Sequence, residues 1–391
     1  MRDSTELAAE KQALANERPV AAADTLLDDA VGTEAKVMVA SQWRLMWWRF
    51  RRHRLAMAGG VFLVVTILLA IFADIVAPYA PDSYNAAYSY APPQLIGFSP
   101  EAGLYVDGYK AVVDPVLMKR TFVTDASTRV PLGLFVAGEP YLMFGLFRSD
   151  IHLLAPKDPK QPMFLFGADR LGRDVLSRTL HASRVSLSIG VVGVALSLFL
   201  GMVLGGLSGY YGGGIDTFVQ RLIEFLQSIP AIPLWIGLAA AIPQTWPPLT
   251  VYFVITVILS VIGWTGLARV VRGRFLSLRT EDFVTAARLD GVGDLRIILV
   301  HMMPSFLSHI IAVVTLAIPG MILAETALSF LGVGLRPPAV SWGVLLQEAQ
   351  NIRSIASAPW LFWPGFAVVT TVLALNFLGD GLRDAADPYA T

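Results

Sequence analysis

The chain has 391 residues, 55% of them hydrophobic and 15% charged, and its 30 Lys and Arg balance its 30 Asp and Glu to a formal net charge of +0. With a mean hydropathy of +0.59, this composition excludes an ordinary soluble domain and describes a polytopic membrane protein. Zero net charge gives no global field for nucleic acid, and a cysteine count of 0 excludes disulfides and thiolate metal sites.

Residues 1–40 are rich in Ala, Asp, Glu and Lys without an apolar core, and read as a disordered cytoplasmic tail rather than a signal or a span. In the run from Gln42 to Arg54, Trp43, Trp47 and Phe50 recur at helical spacing among arginines. That suits a helix lying in the headgroup region, or plain stop-transfer charge; either places this end in the cytoplasm. A first span follows from about Leu55 to Ala77, close to the roughly 20 apolar residues a crossing helix needs. Residues 41–77 therefore group as interfacial helix plus first span.

From 78 to 184 the chain is polar, Pro-rich and mixed in charge, too long for a simple connector. It is expected to be an extracytoplasmic insertion, partly β, with strands around Gly103–Tyr109 and Arg129–Val136. It ends in the run Gly167 to Arg178. There Asp169 and Arg173, and Asp174 and Arg178, are four residues apart and predict pairing along one helix face.

Five further spans follow in a core from 185 to 385: about Val185–Ser208, Phe218–Pro243, Val251–Val271, Ser305–Phe330 and Leu361–Gly379. Six spans put both termini on one side. The arginines before Leu55, with Arg269, Arg272, Arg274 and Arg279, make that side cytoplasmic. In the second span Gly190, Gly193, Gly201, Gly205 and Gly206 let helices approach backbone to backbone, within this chain or across a dimer seam. Pro230, Pro233, Pro243, Pro319, Pro359 and Pro364 bend or bound spans. Glu325, near the outer end of the fifth span, must face protein or water. It reads either as a pathway residue or as a partner for an outer Arg such as Arg336. The Gly- and Pro-punctuated segment after it, through Trp342, lies on the outer side.

Between the fourth and fifth spans, residues 273–304 form a charged, amphipathic loop that must lie outside the bilayer. Glu281 and Asp282 favour a helix start; Phe283, Ala286 and Ala287 are read as one face, with Arg288 and Asp290 beside them as polar contacts. Gly291 stops the turn in a left-handed conformation, Asp294 caps a second helix, and Pro304 closes it. The pattern is a socket for another protein or an ordinary surface connector. No nucleotide-binding loop, zinc-binding pair or nucleophile elbow occurs anywhere.

The run Thr285-Ala-Ala-Arg-Leu-Asp-Gly291, followed by Pro304, resembles the E-A-A-x-x-x-G…I-x-L-P loop of ABC importer permeases, with Thr285, His301 and Met303 as departures. These departures look like the oligopeptide/dipeptide branch. The run from Gly167 to Arg178 resembles that branch's G-T-D-x-x-G-R-D-x-x-S-R signature, with Ala168 departing. The resemblance implies a type I importer permease fold, all-α with six transmembrane helices, in a C-type subunit of the bacterial inner membrane. It implies a second homologous permease subunit, two ATPase subunits that carry ATP and Mg, an extracytoplasmic solute-binding protein and surrounding lipid. This chain itself would bind no cofactor or metal and catalyse nothing. The coupling residues would be Glu281, Phe283, Ala286, Ala287, Arg288, Asp290, Gly291, Asp294 and Pro304. The outer gate and binding-protein side would hold Asp169, Gly172, Arg173, Asp174, Arg178, Glu325 and Trp342. The branch carries di- and oligopeptides, and relatives carry oligosaccharides, opines or nickel. A stand-alone secondary transporter is the alternative of another class, and lacks the intramembrane charge relays and inverted repeats it should show.

Overall fold

The computed structural model describes residues 42–100, 103–113 and 120–386; the tail expected over 1–40 lies outside them. A short helix α1 (Gln42–Arg52) leads into α2 (Arg54–Ile71) through His53, whose Nδ1 accepts the Ala56 N–H at 3.0 Å. Met46 and Phe50 of α1 are buried against Ala56 and Ala385, while Trp47 is exposed, so the helix presents one apolar face to the bundle and one outward.

Four antiparallel strands in simple meander order follow: β1 (Ile96–Ser99), β2 (Gly103–Val113), β3 (Arg120–Met143) and β4 (Phe147–Pro156). The long β3 pairs with β2 through its first half and with β4 through its second, with irregularities in register that bend it. His152 ties this sheet to the chain just beyond α2: Nδ1 lies 2.6 Å from the Ala77 carbonyl and Nε2 2.9 Å from that of Glu139. The Glu139 carboxylate in turn accepts the Ala80 N–H at 3.2 Å.

The bundle proper comprises α3 (Val175–Tyr211), α4 (Gly213–Ser228), α5 (Ala231–Ala240), α6 (Pro248–Leu278), α7 (Asp282–Leu289), α8 (Leu307–Phe330), α9 (Trp342–Gln347) and α10 (Trp363–Ala386). Among the described residues, five helices are long and apolar enough to cross a membrane, or six if the bent pair α4 and α5 is one span. That pair turns by 84° at Ile229–Pro230, where an extended Ile229 and a proline without an N–H break the helical ladder. The continuous span expected over Phe218–Pro243 is therefore two helices. Helix α3, at 37 residues, is about 55 Å long at 1.5 Å per residue, well beyond a hydrocarbon core of about 30 Å. It starts at Val175, ten residues before the expected span, because Asp174 caps it.

The glycines of α3 serve packing within this chain. The Ala268 backbone of α6 occupies the space a side chain at Gly205 would need, and Leu267 Cβ would lie 2.8 Å from one at Gly201. Helices α3 and α6 thus meet along most of their length, and α2, α8 and α10 close around them. Arg184 on α3 clasps the end of α2, with Nη1 and Nη2 3.0 and 2.9 Å from the two Asp74 carboxylate oxygens and Nη2 2.7 Å from the Ile71 carbonyl. Asp74 is accordingly paired.

Candidate functional site

Two polar constellations sit at opposite ends of the bundle. The first is the loop between α6 and α8. Helix α7 turns Val284 (0% exposed) and Ala287 into a cluster with Phe275, Ile297, Met302 and Phe306. Phe283 is 41% exposed and Ala286 also faces outward. Phe283 and Ala286 therefore do not share the face of Ala287: the seat is made by Val284 and Ala287, three apart, and the outward surface by Phe283, Ala286 and Leu289. Leu289 is 84% exposed, and Leu295, Leu299 and Val300 extend the same apolar exposure. Glu281 is the residue before the first turn, and its side chain caps nothing.

Gly291 adopts φ +75° with no atom within 4 Å of where a Cβ would stand, so its requirement is backbone conformation, not close approach. Asp294 does not cap the second helix; Gly293 holds that position. Asp294 Oδ1 instead accepts the Tyr210 hydroxyl at 2.6 Å, and the Arg288 guanidinium lies 5.0 Å from the Tyr210 ring centroid. The last turn of α3 thus grips both limbs of the loop. Asp290 is exposed. Pro304 does not close the helix either. The chain widens to a π-helical turn over Ile297–Met302, continues through Met303–Ser305, and breaks at Phe306. A wide turn removes the clash between a proline ring and the preceding turn's carbonyl. Nearby, Arg272 Nε and Nη2 hold the two Asp216 carboxylate oxygens, both at 2.6 Å, fixing α4 to α6.

The second constellation surrounds the start of α3. Residues 169–172 form a turn, not a helix: Asp169 Oδ1 accepts the N–H groups of Leu171 and Arg173 at 2.8 and 3.0 Å, and Gly172 supplies φ +72°. Asp169 Oδ2 pairs with Arg173 as expected and also with Arg178, each at 2.6 Å. Asp174 does not pair with Arg178; its Oδ2 accepts the Ser177 N–H at 2.7 Å as the α3 cap. Burial pushes the Asp174 carboxyl up to about 6.

Glu325, 0% exposed, has no contact with Arg336, whose Nε donates to the Gly332 carbonyl. Its carboxylate accepts three serine hydroxyls: Ser341 at 2.7 Å, Ser329 at 2.8 Å and Ser186 at 3.3 Å. Each serine oxygen also accepts a backbone N–H from the segment that follows α8, of Val344, Leu335 and Trp342 respectively. A hydroxyl whose oxygen receives an N–H is left to donate, so Glu325 organises the return path after α8. Trp342 is buried, with Nε1 donating to the Thr179 carbonyl at 3.1 Å. Sequence reasoning missed Tyr210, Asp216 and the three serines; Ser186 and Ser329 show only as polar residues within apolar helices, and Ser341 only as a cap before α9.

Five or six helices long and apolar enough to cross a membrane define a multi-pass membrane protein. The family described as the inner membrane component of binding-protein-dependent transport systems matches residues 199–390, and the N-terminal transmembrane domain of oligopeptide transport permease C matches residues 41–93. The sheet lies between these two segments. The oligopeptide transport system permease protein OppC of Haemophilus influenzae is 37% identical over 257 residues, 65% of this chain and 80% of that protein. The dipeptide transport system permease protein DppC of Bacillus subtilis is 40% identical over 225 residues, 57% and 68% respectively. DppC of Haemophilus influenzae is 29% identical over 343 residues, 88% and 93%. A solved chain of the inward-facing MetNI methionine ABC transporter aligns with TM-score 0.42 and 18% identity over 54% of this chain and 96% of that one. The chain belongs to the oligopeptide/dipeptide family of ABC importer permeases, and is a multi-pass inner-membrane component of a transporter complex.

Proposed function

We propose that this chain is the C-type subunit of a peptide importer, receiving di- or oligopeptides from an extracytoplasmic solute-binding protein and passing them inward beside a second, homologous permease subunit. Two ATPase subunits, holding ATP and Mg, supply the energy; this chain hydrolyses nothing. Both termini are cytoplasmic, the bent α4–α5 pair is the third of six spans in a type I permease core, and the sheet is extracytoplasmic. The loop over 273–304 docks into an ATPase subunit, and the Asp169 and Glu325 constellations lie on the binding-protein side.

The observation that carries this reading is the division of the loop into a buried seat and an exposed apolar ridge. Val284, Ala287, Ile297 and Met302 fix it to the bundle while Phe283, Leu289, Leu295 and Leu299 are left without cover. Apolar groups held outward in one patch mark an interaction surface, and the charged residues among them, Asp282, Arg288 and Asp290, favour a protein partner over lipid. Rotation of that partner would be delivered through Tyr210 and Phe306 to α3 and α8, giving alternating access by rigid-body rocking. The test is purification of the complex after expression with its neighbouring ATPase and permease genes. ATPase subunits should cross-link to a Cys at Leu289 and turn over ATP only with the permeases present. Cross-linking of Leu289 to lipid alone, or ATP hydrolysis by this chain by itself, refutes it.

A further inference from the structure

Where the turn before α3 meets the outer return segment, a cavity of about 490 Å³ is lined by Arg170, Arg173, Arg178, Glu348, Asn351 and Ser354. Its charges do not cancel. One carboxylate, Asp169, serves two guanidiniums, those of Arg173 and Arg178. Glu348 Oε1 accepts the Arg170 backbone N–H at 2.9 Å, and burial pushes its carboxyl above the ordinary range. Three guanidiniums therefore meet at most two carboxylates.

Arg178 is 4% exposed and reaches the cavity wall. A planar guanidinium presents paired N–H donors that match the two oxygens of a carboxylate. The cavity's size is that of a small-molecule site rather than a solvation gap. Its lining joins the start of α3 to Pro337, Val344 and Leu345 of the segment that Glu325 organises, so an occupant touches both parts.

We propose that this cavity is a carboxylate-binding site that takes the C-terminal carboxylate of a peptide entering the importer. The proposal rests on the peptide-permease reading above. The guanidiniums receive the terminal carboxylate, and Asn351 and Ser354, whose hydroxyl meets that of Tyr90 at 3.0 Å, form the polar wall beside the last amide.

The test uses the permease pair with its ATPase subunits in lipid nanodiscs, without solute-binding protein, and measures calorimetric binding of trialanine, trialanine amide and sodium acetate. Trialanine should bind at least tenfold more tightly than its amide, and acetate should compete only weakly. Arg173→Gln should weaken trialanine binding at least tenfold. Asn351→Trp, which fills the cavity without removing charge, should do the same, guarding against a folding defect specific to the charge change. Equal affinity for acid and amide, or unchanged affinity in both variants, overturns the proposal. So does acetate binding as tightly as trialanine, which would make this a site for free small anions. Trialanine import by the complete wild-type importer is followed in parallel. Import alongside equal acid and amide binding removes this site and leaves the proposed function standing, whereas absence of import counts against the function itself.

Discussion

The two faces of α7 make opposite predictions for adjacent residues, Phe283→Ala and Val284→Ala. A phenylalanine side chain buries roughly 200 Å² when fully covered, and Phe283 is 41% exposed, so a partner that covers it removes about 80 Å² from water. At about 25 cal/mol per Å² this is about 2 kcal/mol, a roughly 30-fold change in affinity. Val284 is 0% exposed; its truncation should cost about 2 kcal/mol of local stability by transfer and cavity terms together, loosening the loop. The assay is titration of purified ATPase subunits onto the permease pair in nanodiscs, with thermal unfolding of the permeases measured alongside. Phe283→Ala should weaken ATPase binding with an unchanged unfolding midpoint, and Val284→Ala should lower the midpoint. Full ATPase affinity in both Phe283→Ala and Leu289→Ala would refute the reading of this ridge as the docking surface.

At the other end, Glu325→Leu leaves three buried hydroxyls without their acceptor, about 3 kcal/mol at about 1 kcal/mol each. Hydrogen exchange at the Leu335, Trp342 and Val344 amides should accelerate, and unchanged protection would show that Glu325 does not hold the return segment. For Asp174, a folded-state value of about 6 against an ordinary 3.8 means the native chain keeps a proton the unfolded chain releases. The resulting stability, present below about pH 4, is lost as pH rises through about 6, by about 3 kcal/mol for a shift of about 2 units. Asp174→Asn retains the cap and should flatten the unfolding midpoint between about pH 4 and pH 7; an unflattened profile assigns the dependence elsewhere. Because the native chain has no cysteine, single Cys residues at the exposed Lys157 and Asp282 report topology cleanly. Impermeant maleimide should label the first in intact spheroplasts and the second only after the membrane is opened.

What the sequence made legible was what depends on local pattern. Gly291 sits after a helical run with nothing else able to terminate it, and it takes the left-handed conformation that its position demands. Gly201 and Gly205 recur on one face of an apolar helix, and the neighbouring helix lies against that face. Chain segments around Tyr109 and Val136 carry β-branched and aromatic residues between turns, and both belong to strands. Each of these needs no knowledge of what lies across the structure.

What was not legible depends on a neighbour distant in sequence. Spacing of four between Asp174 and Arg178 is compatible with an ion pair only if both lie on one helix, and the competing fate of Asp174, capping Ser177, moves the helix start past it. Arg178 then finds Asp169, nine residues away, through a turn that spacing rules do not cover. For Glu325, charge suggested a counter-ion, yet hydroxyls that are already polarised by backbone N–H groups satisfy a carboxylate without burying a second charge, avoiding the desolvation cost of an ion pair. The face assignment of α7 fails for the same reason. Phe283 and Val284 are both apolar, and one residue's rotation of about 100° decides which is buried. That rotation buries Val284 and Ala287 against Phe275, Ile297 and Phe306, residues distant in sequence, while Tyr210 holds Arg288 and Asp294 from the end of another helix. On the proposed docking, a loop held in this way would pass a partner's displacement to α3 directly, since Tyr210 lies in the last turn of the bundle's longest helix.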